Sequence, residues 1–217
     1  MTMSIYTKQD YYSNYLAEKG VDLNEHLDIG PLEGKIDIDP QPFNEFINDF
    51  KDDALTKWYA PRPFYNFDSM REAVFLNNMG YNEHNTFEYN WGIEEHHNQI
   101  LKDLIGDQNF DSMALDRTTA GVRLLVYYPG NGIPLHTDSF NSFRAKNGLA
   151  PNEGTIVRYF VAVSPWDWGH FLQVHNNMIH HWEPGYTLQI PAGVFHTSAN
   201  FGITPKITLT ITGISTL

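Results

Sequence analysis

The stretch GVRLLVYYPGNGIPLHTD, residues 121–138, decides the fold. Val122–Tyr128 is a mostly apolar run of strand length, Pro129-Gly-Asn-Gly132 is turn chemistry, and Ile133–Thr137 is a second short strand. Side chains at i and i+2 of a strand point to one face, so His136 and Asp138 should project together and Thr137 away from them. An imidazole and a carboxylate converging from one strand make a partial metal site whose third ligand must come from elsewhere.

C-terminal to this stretch the same pattern continues. Strands are expected over Thr155–Ser164, His170–His175, Tyr186–Ile190 and Ile207–Thr212, with Asn152-Glu-Gly154, Pro184-Gly185 and Pro191-Ala-Gly193 between them. Many short strands with such punctuation predict a sandwich or barrel. N-terminal to it the period changes to that of helices. Phe43, Phe46, Ile47 and Phe50 predict a helix from Phe43 to about Leu55, and Ile93, His97, Ile100, Leu101, Leu104 and Ile105 predict one over Ile93–Ile105, with Gly106 as its stop. Two prolines make Tyr59–Phe64 a loop. The expectation is one mainly β domain over residues 1–217: a helical and irregular flank (1–120) buttressing a jelly-roll core (121–217), that is, a double-stranded β-helix.

The chain of 217 residues is long enough for one such core, and its hydrophobic fraction of 41% and aromatic fraction of 14% are those of a globular protein. It has no cysteine, which excludes disulfides, thiolate metal sites and cysteine nucleophiles, so a metal would need its 10 His and its acids. The net charge of −12 disfavours long-range attraction of polyanions, and nucleic acid is not expected as a partner. No apolar run is long enough to span a membrane, and the N-terminal segment has no signal-peptide character, which predicts a cytoplasmic protein.

Five later histidines compete to complete the metal set: His170, His175, His180, His181 and His196. His196 follows a short strand and the turn Pro191-Ala-Gly193, and it alone is followed ten positions on by a basic residue, Lys206, able to neutralise a carboxylate. The other four read as polar surface or hydrogen-bonded structure. On the last strand Lys206, Thr208, Thr210 and Thr212 share one face and Ile207, Leu209 and Ile211 the other, so a polar interior is expected there. Two His and one carboxylate on one face of Fe(II) leave positions open for substrate and O2. Arg158 stands in an otherwise apolar strand and needs an acidic partner, a dicarboxylate cosubstrate or one of the 26 acids.

The block Tyr127-Tyr-Pro-Gly130, five residues, His136-Thr-Asp138, followed by His196, nine residues, Lys206, resembles the prolyl-4-hydroxylase-like branch of the Fe(II)- and 2-oxoglutarate-dependent oxygenases. The resemblance covers roughly residues 120–213. It implies that His136, Asp138 and His196 bind Fe(II), that Lys206 pairs with the distal carboxylate of 2-oxoglutarate, and that Tyr127 offers its hydroxyl to the same group. Arg158 and the run His196–Gly202 are also similar to the aspartyl/asparaginyl hydroxylase-like branch, which makes Arg158 a second cosubstrate residue. The implied activity is hydroxylation of an unactivated C–H by O2, with conversion of 2-oxoglutarate to succinate and CO2. Its substrate would be a peptide, a protein or a small molecule such as an amino acid. The nucleic-acid demethylases that share His-x-Asp show a double arginine after the distal histidine, where this chain has Lys206-Ile-Thr-Leu.

Ser139–Glu153, with Phe140, Phe143 and Arg144, follows the metal strand and is expected to be a lid or substrate-contact segment. Trp166 and Trp168 could line a pocket, although packing on the sheet is the simpler expectation. Two other readings compete: a metal-dependent jelly roll that has no use for 2-oxoglutarate, and a non-catalytic sugar-binding jelly roll with Trp166, Trp168 and Trp182 as stacking platforms.

Overall fold

The computed structural model describes residues 22, 25–58, 87–138, 140–150 and 153–217. Among these residues eleven strands run in chain order: β1 Glu33–Lys35, β2 Leu55–Trp58, β3 Phe87–Trp91, β4 Gly121–Tyr127, β5 Gly132–His136, β6 Ile156–Ala162, β7 His170–Val174, β8 Asn177–Ile179, β9 Tyr186–Ile190, β10 His196–Asn200 and β11 Lys206–Ile214. Four α-helices accompany them among the described residues: α1 Pro40–Asp49, α2 Glu95–Ile105, α3 Asp107–Ser112 and α4 Asn141–Lys146. The hydrogen-bonded order is β1-β9-β6-β11-β4-β3-β5-β10-β7-β8, all pairs antiparallel, with β2 on β3.

The fold follows from that order. The chain places β4, β6, β9 and β11 in one wall and β5, β7, β8 and β10 in the other, crossing between walls at nearly every turn. This winding is the double-stranded β-helix, and the protein is mainly β, as expected. Among its described residues the N-terminal flank holds both expected helices, and strands as well. It adds β1 to the edge of one wall, and β3 bridges the walls by pairing with both β4 and β5. Among the described residues no helix is long and apolar enough to cross a membrane.

Strand parity sorts the core into two layers. On the outer face of the first wall Val122, Leu124 and Val126 (β4), Val157 and Val161 (β6) and Ile207, Leu209 and Ile211 (β11) pack against Phe43 and Phe46 of α1, Leu101 and Ile105 of α2 and Phe110 of α3. Between the walls lie Phe160, Ala162, Leu172, Val174, Trp182, Leu188 and Ile190. Burying each large apolar side chain contributes about 1.5–3 kcal/mol, so the helical flank is held by the outer layer rather than by helix propensity. Asn98, 2% exposed on α2, pins the two together by donating to the carbonyls of Gly92 (3.2 Å) and Val122 (2.8 Å).

The helices differ from expectation at their ends for local reasons. The helix expected over Phe43–Leu55 starts at Pro40, because Asp39 accepts from the Gln41 amide (2.9 Å) as N-cap and proline fits the first turn. It stops at Asp49, a 3-10 turn covers Lys51–Asp53, and Leu55 begins β2 instead. The second helix begins at Glu95 rather than Ile93 and ends at Gly106, whose φ of 79° suits glycine. The loop expected over Tyr59–Phe64 lies outside the described residues.

Candidate metal centre

The site is assembled where β5 and β10 pair, with His136 directly opposite His196. The Pro129-Gly130 turn fixes the register at the start of β5: the Gly130 amide donates to the Asn200 carbonyl (2.8 Å) and the Asn200 amide to the Asn131 carbonyl (2.8 Å). Gly132 lets the strands approach, since a Cβ there would lie 2.8 Å from that of Ala199. The turn thereby sets Gly132 and Ile133 opposite Ala199 and Ser198, and a register shift between Ser198 and His196 then brings His136, rather than Leu135, opposite His196 so that the two imidazoles meet.

The ring centroids of His136 and His196 are 4.3 Å apart, and both residues are buried. Each Nδ1 faces the carbonyl two residues earlier in the chain, His136 that of Pro134 at 2.9 Å and His196 that of Val194 at 3.0 Å. A carbonyl can only accept, so each neutral ring carries its proton on Nδ1 and keeps the Nε2 lone pair for the site. Asp138 completes the group, with its Oδ2 3.3 Å from His196 Nε2. One ligand atom from each of the three residues lies within 4.8 Å of the others.

Asp138 does not arrive by strand parity. β5 ends at His136, and Asp138 sits in the coil beyond it, where the Gly193 amide meets its carbonyl at 3.4 Å. Its carboxylate is oriented instead by Arg158 of β6, which forms an ion pair with Oδ2. Burial alone would raise the Asp138 carboxyl, but the Arg158 guanidinium beside it holds it well below the usual carboxylate range. The carboxylate is thus charged and the imidazoles present lone pairs, the state a divalent ion requires. Two imidazole nitrogens and one carboxylate on one side suit a transition ion with open positions.

Arg158 is therefore not a lone buried charge. Besides Asp138, its Nε donates to Thr212 Oγ1 at 2.9 Å, and its guanidinium lies 5.0 Å from the centroid of the Phe140 ring. Phe140 holds this place with a left-handed backbone (φ 55°) and is buried, so the first described residue of the expected lid segment is part of the site wall. Farther along, Arg144 donates to the carbonyls of Ala150 (3.0 Å) and Glu153 (2.7 Å), tying the segment to itself.

Lys206 is 0% exposed and points between the walls. Its Nζ donates to the Phe171 carbonyl (2.5 Å) and to Ser198 Oγ (2.6 Å), and lies 5.1, 5.4 and 5.8 Å from the ring centroids of Tyr127, Trp182 and Phe160. Tyr127, 1% exposed, is its register partner on β4. Ser198 stands two residues from His196 on β10, and the chain brings Lys206 and Tyr127 together on the inner face, both less exposed than the three ligands. The parity expected of β11 holds, with Ile207, Leu209 and Ile211 in the outer layer.

The rival histidines are elsewhere. His170 is buried: its Nε2 faces the Thr204 carbonyl (3.1 Å), its Nδ1 accepts from the Asp167 amide (3.2 Å), and burial lowers its pKa. His175 and His181 occupy turns at positive φ, and His180 and His181 pack near Trp166. Trp166 packs against the inner layer, Trp168 is 78% exposed and Trp182 is 3% exposed, so the three do not form one sugar-stacking surface. Sequence reading missed the Arg158–Asp138 pairing, the Ser198 support for Lys206, and Arg123. Arg123 shares the inner face of β4 by parity, because Val122 and Leu124 are both 0% exposed in the outer layer. Strand alternation in GVRLLVY contained that last signal.

No protein-family model matches the chain, and no curated protein matches it in sequence. Its fold is similar to solved structures of the same class. A cupin protein from Bacteroides fragilis is 19% identical over 48% of this chain and 72% of that chain, with a TM-score of 0.32. A double-stranded β-helix domain protein from Klebsiella pneumoniae is 16% identical over 44% and 68%, with a TM-score of 0.31. A protein from Thermotoga maritima described as a predicted oxalate decarboxylase is 10% identical over 59% and 81%, with a TM-score of 0.36. The fold assignment rests on the chain's own strand order.

Proposed function

We propose that the chain is a non-haem Fe(II)- and 2-oxoglutarate-dependent dioxygenase that hydroxylates an unactivated C–H of a peptidyl or amino-acid-like substrate. One oxygen atom of O2 enters the substrate and the other enters succinate, with release of CO2. The observation that carries this reading is the placement of a buried lysine beside a two-histidine, one-carboxylate cluster. His196 and Ser198 are neighbours on one face of β10, about 6.7 Å apart along the strand, a span suited to a five-carbon dicarboxylate. One end would meet the His136, Asp138 and His196 side and the other the Lys206 ammonium.

Within this reading His136, Asp138 and His196 hold Fe(II), which when bound supplies the oxygen-activating chemistry. The carbonyls of Pro134 and Val194 keep both imidazoles in the ligating tautomer, and Arg158 keeps Asp138 ionised and aimed. Lys206 and Tyr127 receive the distal carboxylate. The apolar inner layer around them excludes water from the deep end of the barrel.

A second reading is a jelly-roll metal enzyme that does not use 2-oxoglutarate. It is favoured by one observation, that the Lys206 ammonium already donates to Phe171 and Ser198. The two separate on calorimetric titration of 2-oxoglutarate into protein loaded with redox-inert Zn2+. The dioxygenase reading expects saturable binding that is lost on removing the metal and lost in Lys206→Met. Absence of binding to the loaded wild type supports the second reading.

A further inference from the structure

The helical flank carries a second cluster of ligand type, remote in sequence from the first. Asp53 ends the 3-10 turn after α1, and His96 and His97 stand in the first turn of α2. One ligand atom from each of the three lies within 4.8 Å of the others. Asp53 and His96 are exposed, whereas His97 is 2% exposed. The Nε2 of His97 is buried, has no hydrogen-bond partner among the described residues and lies 3.4 Å from Asp53 Oδ2.

Two features of this arrangement point to an ion. A buried ring nitrogen is normally satisfied, and at 3.4 Å the carboxylate is beyond the usual 2.9–3.0 Å of an N–H···O bond. That separation does fit two ligands sharing one tetrahedral ion, since metal–ligand distances of about 2.0–2.2 Å set tetrahedral edges of roughly 3.3–3.6 Å. The imidazoles are also constrained in advance. The His97 ring packs on Phe46 and Phe50, with centroids 5.6 and 4.8 Å away, and the His96 ring lies 3.9 Å from that of His97 and 6.2 Å from that of Phe50. The aromatic floor restricts both rings before any ligand arrives, which lowers the entropy lost on binding.

We propose that Asp53, His96 and His97 form a second site for a divalent transition ion of the zinc class, independent of the barrel centre. Two imidazoles and one carboxylate supply three ligands, and the exposed side of the cluster leaves the fourth to water. The bound ion clips the turn after α1 to the start of α2, two elements otherwise joined through Phe46, Phe50 and the buried His97 ring. Its role is to stiffen the flank.

The test is Zn2+ titration of the full chain carrying His136→Ala, which lacks a barrel ligand, read by the imidazole nitrogen resonances and by equilibrium dialysis. The expected result is a shift of the His97 Nε2 resonance and uptake of one Zn2+ per chain at micromolar metal. Adding Asp53→Asn or His96→Ala, both at exposed positions that leave the fold intact, should weaken uptake at least tenfold. In the His136→Ala parent Zn2+ should raise the urea midpoint, and in the added variants it should not. An unmoved His97 resonance at 100-fold excess Zn2+, or equal uptake in the parent and both added variants, overturns the proposal.

Discussion

Arg158 and Asp138 form an ion pair that joins β6 to the coil beyond β5, so the carboxylate of the candidate metal centre is oriented from the opposite wall of the barrel. Asp138 lacks the strand scaffold that His136 and His196 enjoy, and Arg158 supplies the missing constraint. Partners that orient a ligand without touching the metal are worth about 10–100-fold in metal affinity. Arg158→Met, which keeps much of the contact with Phe140 but not the charge, should weaken divalent metal binding by about that factor. Competition titration against a chelating dye measures it, and affinity equal to that of the wild type would mean that Asp138 is positioned by its backbone alone.

Lys206→Met separates fold from function. The substitution retains an unbranched chain in a fully buried position but leaves the Phe171 carbonyl and Ser198 Oγ without this donor. Leaving a buried group unsatisfied costs about 1–3 kcal/mol, a decrease that urea unfolding should show. Metal affinity should stay within about threefold, because no ligand has moved; a loss beyond tenfold would place Lys206 in the support of the metal instead.

How much of this is legible in the sequence differs from residue to residue. His136 and His196 are readable because the Pro-Gly turn and the Lys206 spacing are local signals, and the parity of β11 is readable because Ile207, Leu209 and Ile211 alternate with polar residues. β10 is not recognisable as a strand. His196, Ser198 and Asn200 line its inner face, so its composition, His-Thr-Ser-Ala-Asn, lacks the apolar alternation that marks a half-buried strand. Arg158 can be seen to need an acid, yet which acid is a long-range fact set by β6 lying across from the end of β5. β3 escapes a sequence reading because its role as a bridge between walls depends on β4 and β5 already being in place.

Asn98 adds a polar tie to the apolar packing that holds the flank on the barrel. Removing its amide leaves the Gly92 and Val122 carbonyls without that donor at the contact of α2 with β4. Asn98→Ala should therefore lower stability by about 1–3 kcal/mol. Unfolding should remain a single transition by fluorescence and circular dichroism. Separation into two transitions would mean that the flank and the barrel unfold independently.

Acid sensitivity should come in part from His170. Burial lowers its folded pKa below the ordinary 6.5, so the unfolded chain takes up a proton there that the folded chain refuses. Its contribution is fully present above about pH 6.5 and diminishes as the pH falls from that value toward the lower folded pKa. The drop in urea midpoint between pH 7.5 and 5.5 should be smaller in His170→Asn than in the wild type. An equal drop in both would assign the acid sensitivity to other groups.

Whether a metal at His136, Asp138 and His196 shares its site with a dicarboxylate anchored by Lys206 is decided by anaerobic titration of the Fe(II)-loaded protein with 2-oxoglutarate, read as visible absorption. The expected result is a weak charge-transfer band that saturates with one equivalent of cosubstrate and disappears in Lys206→Met while iron is retained. An iron-loaded wild type that develops no band at any 2-oxoglutarate concentration excludes a shared site.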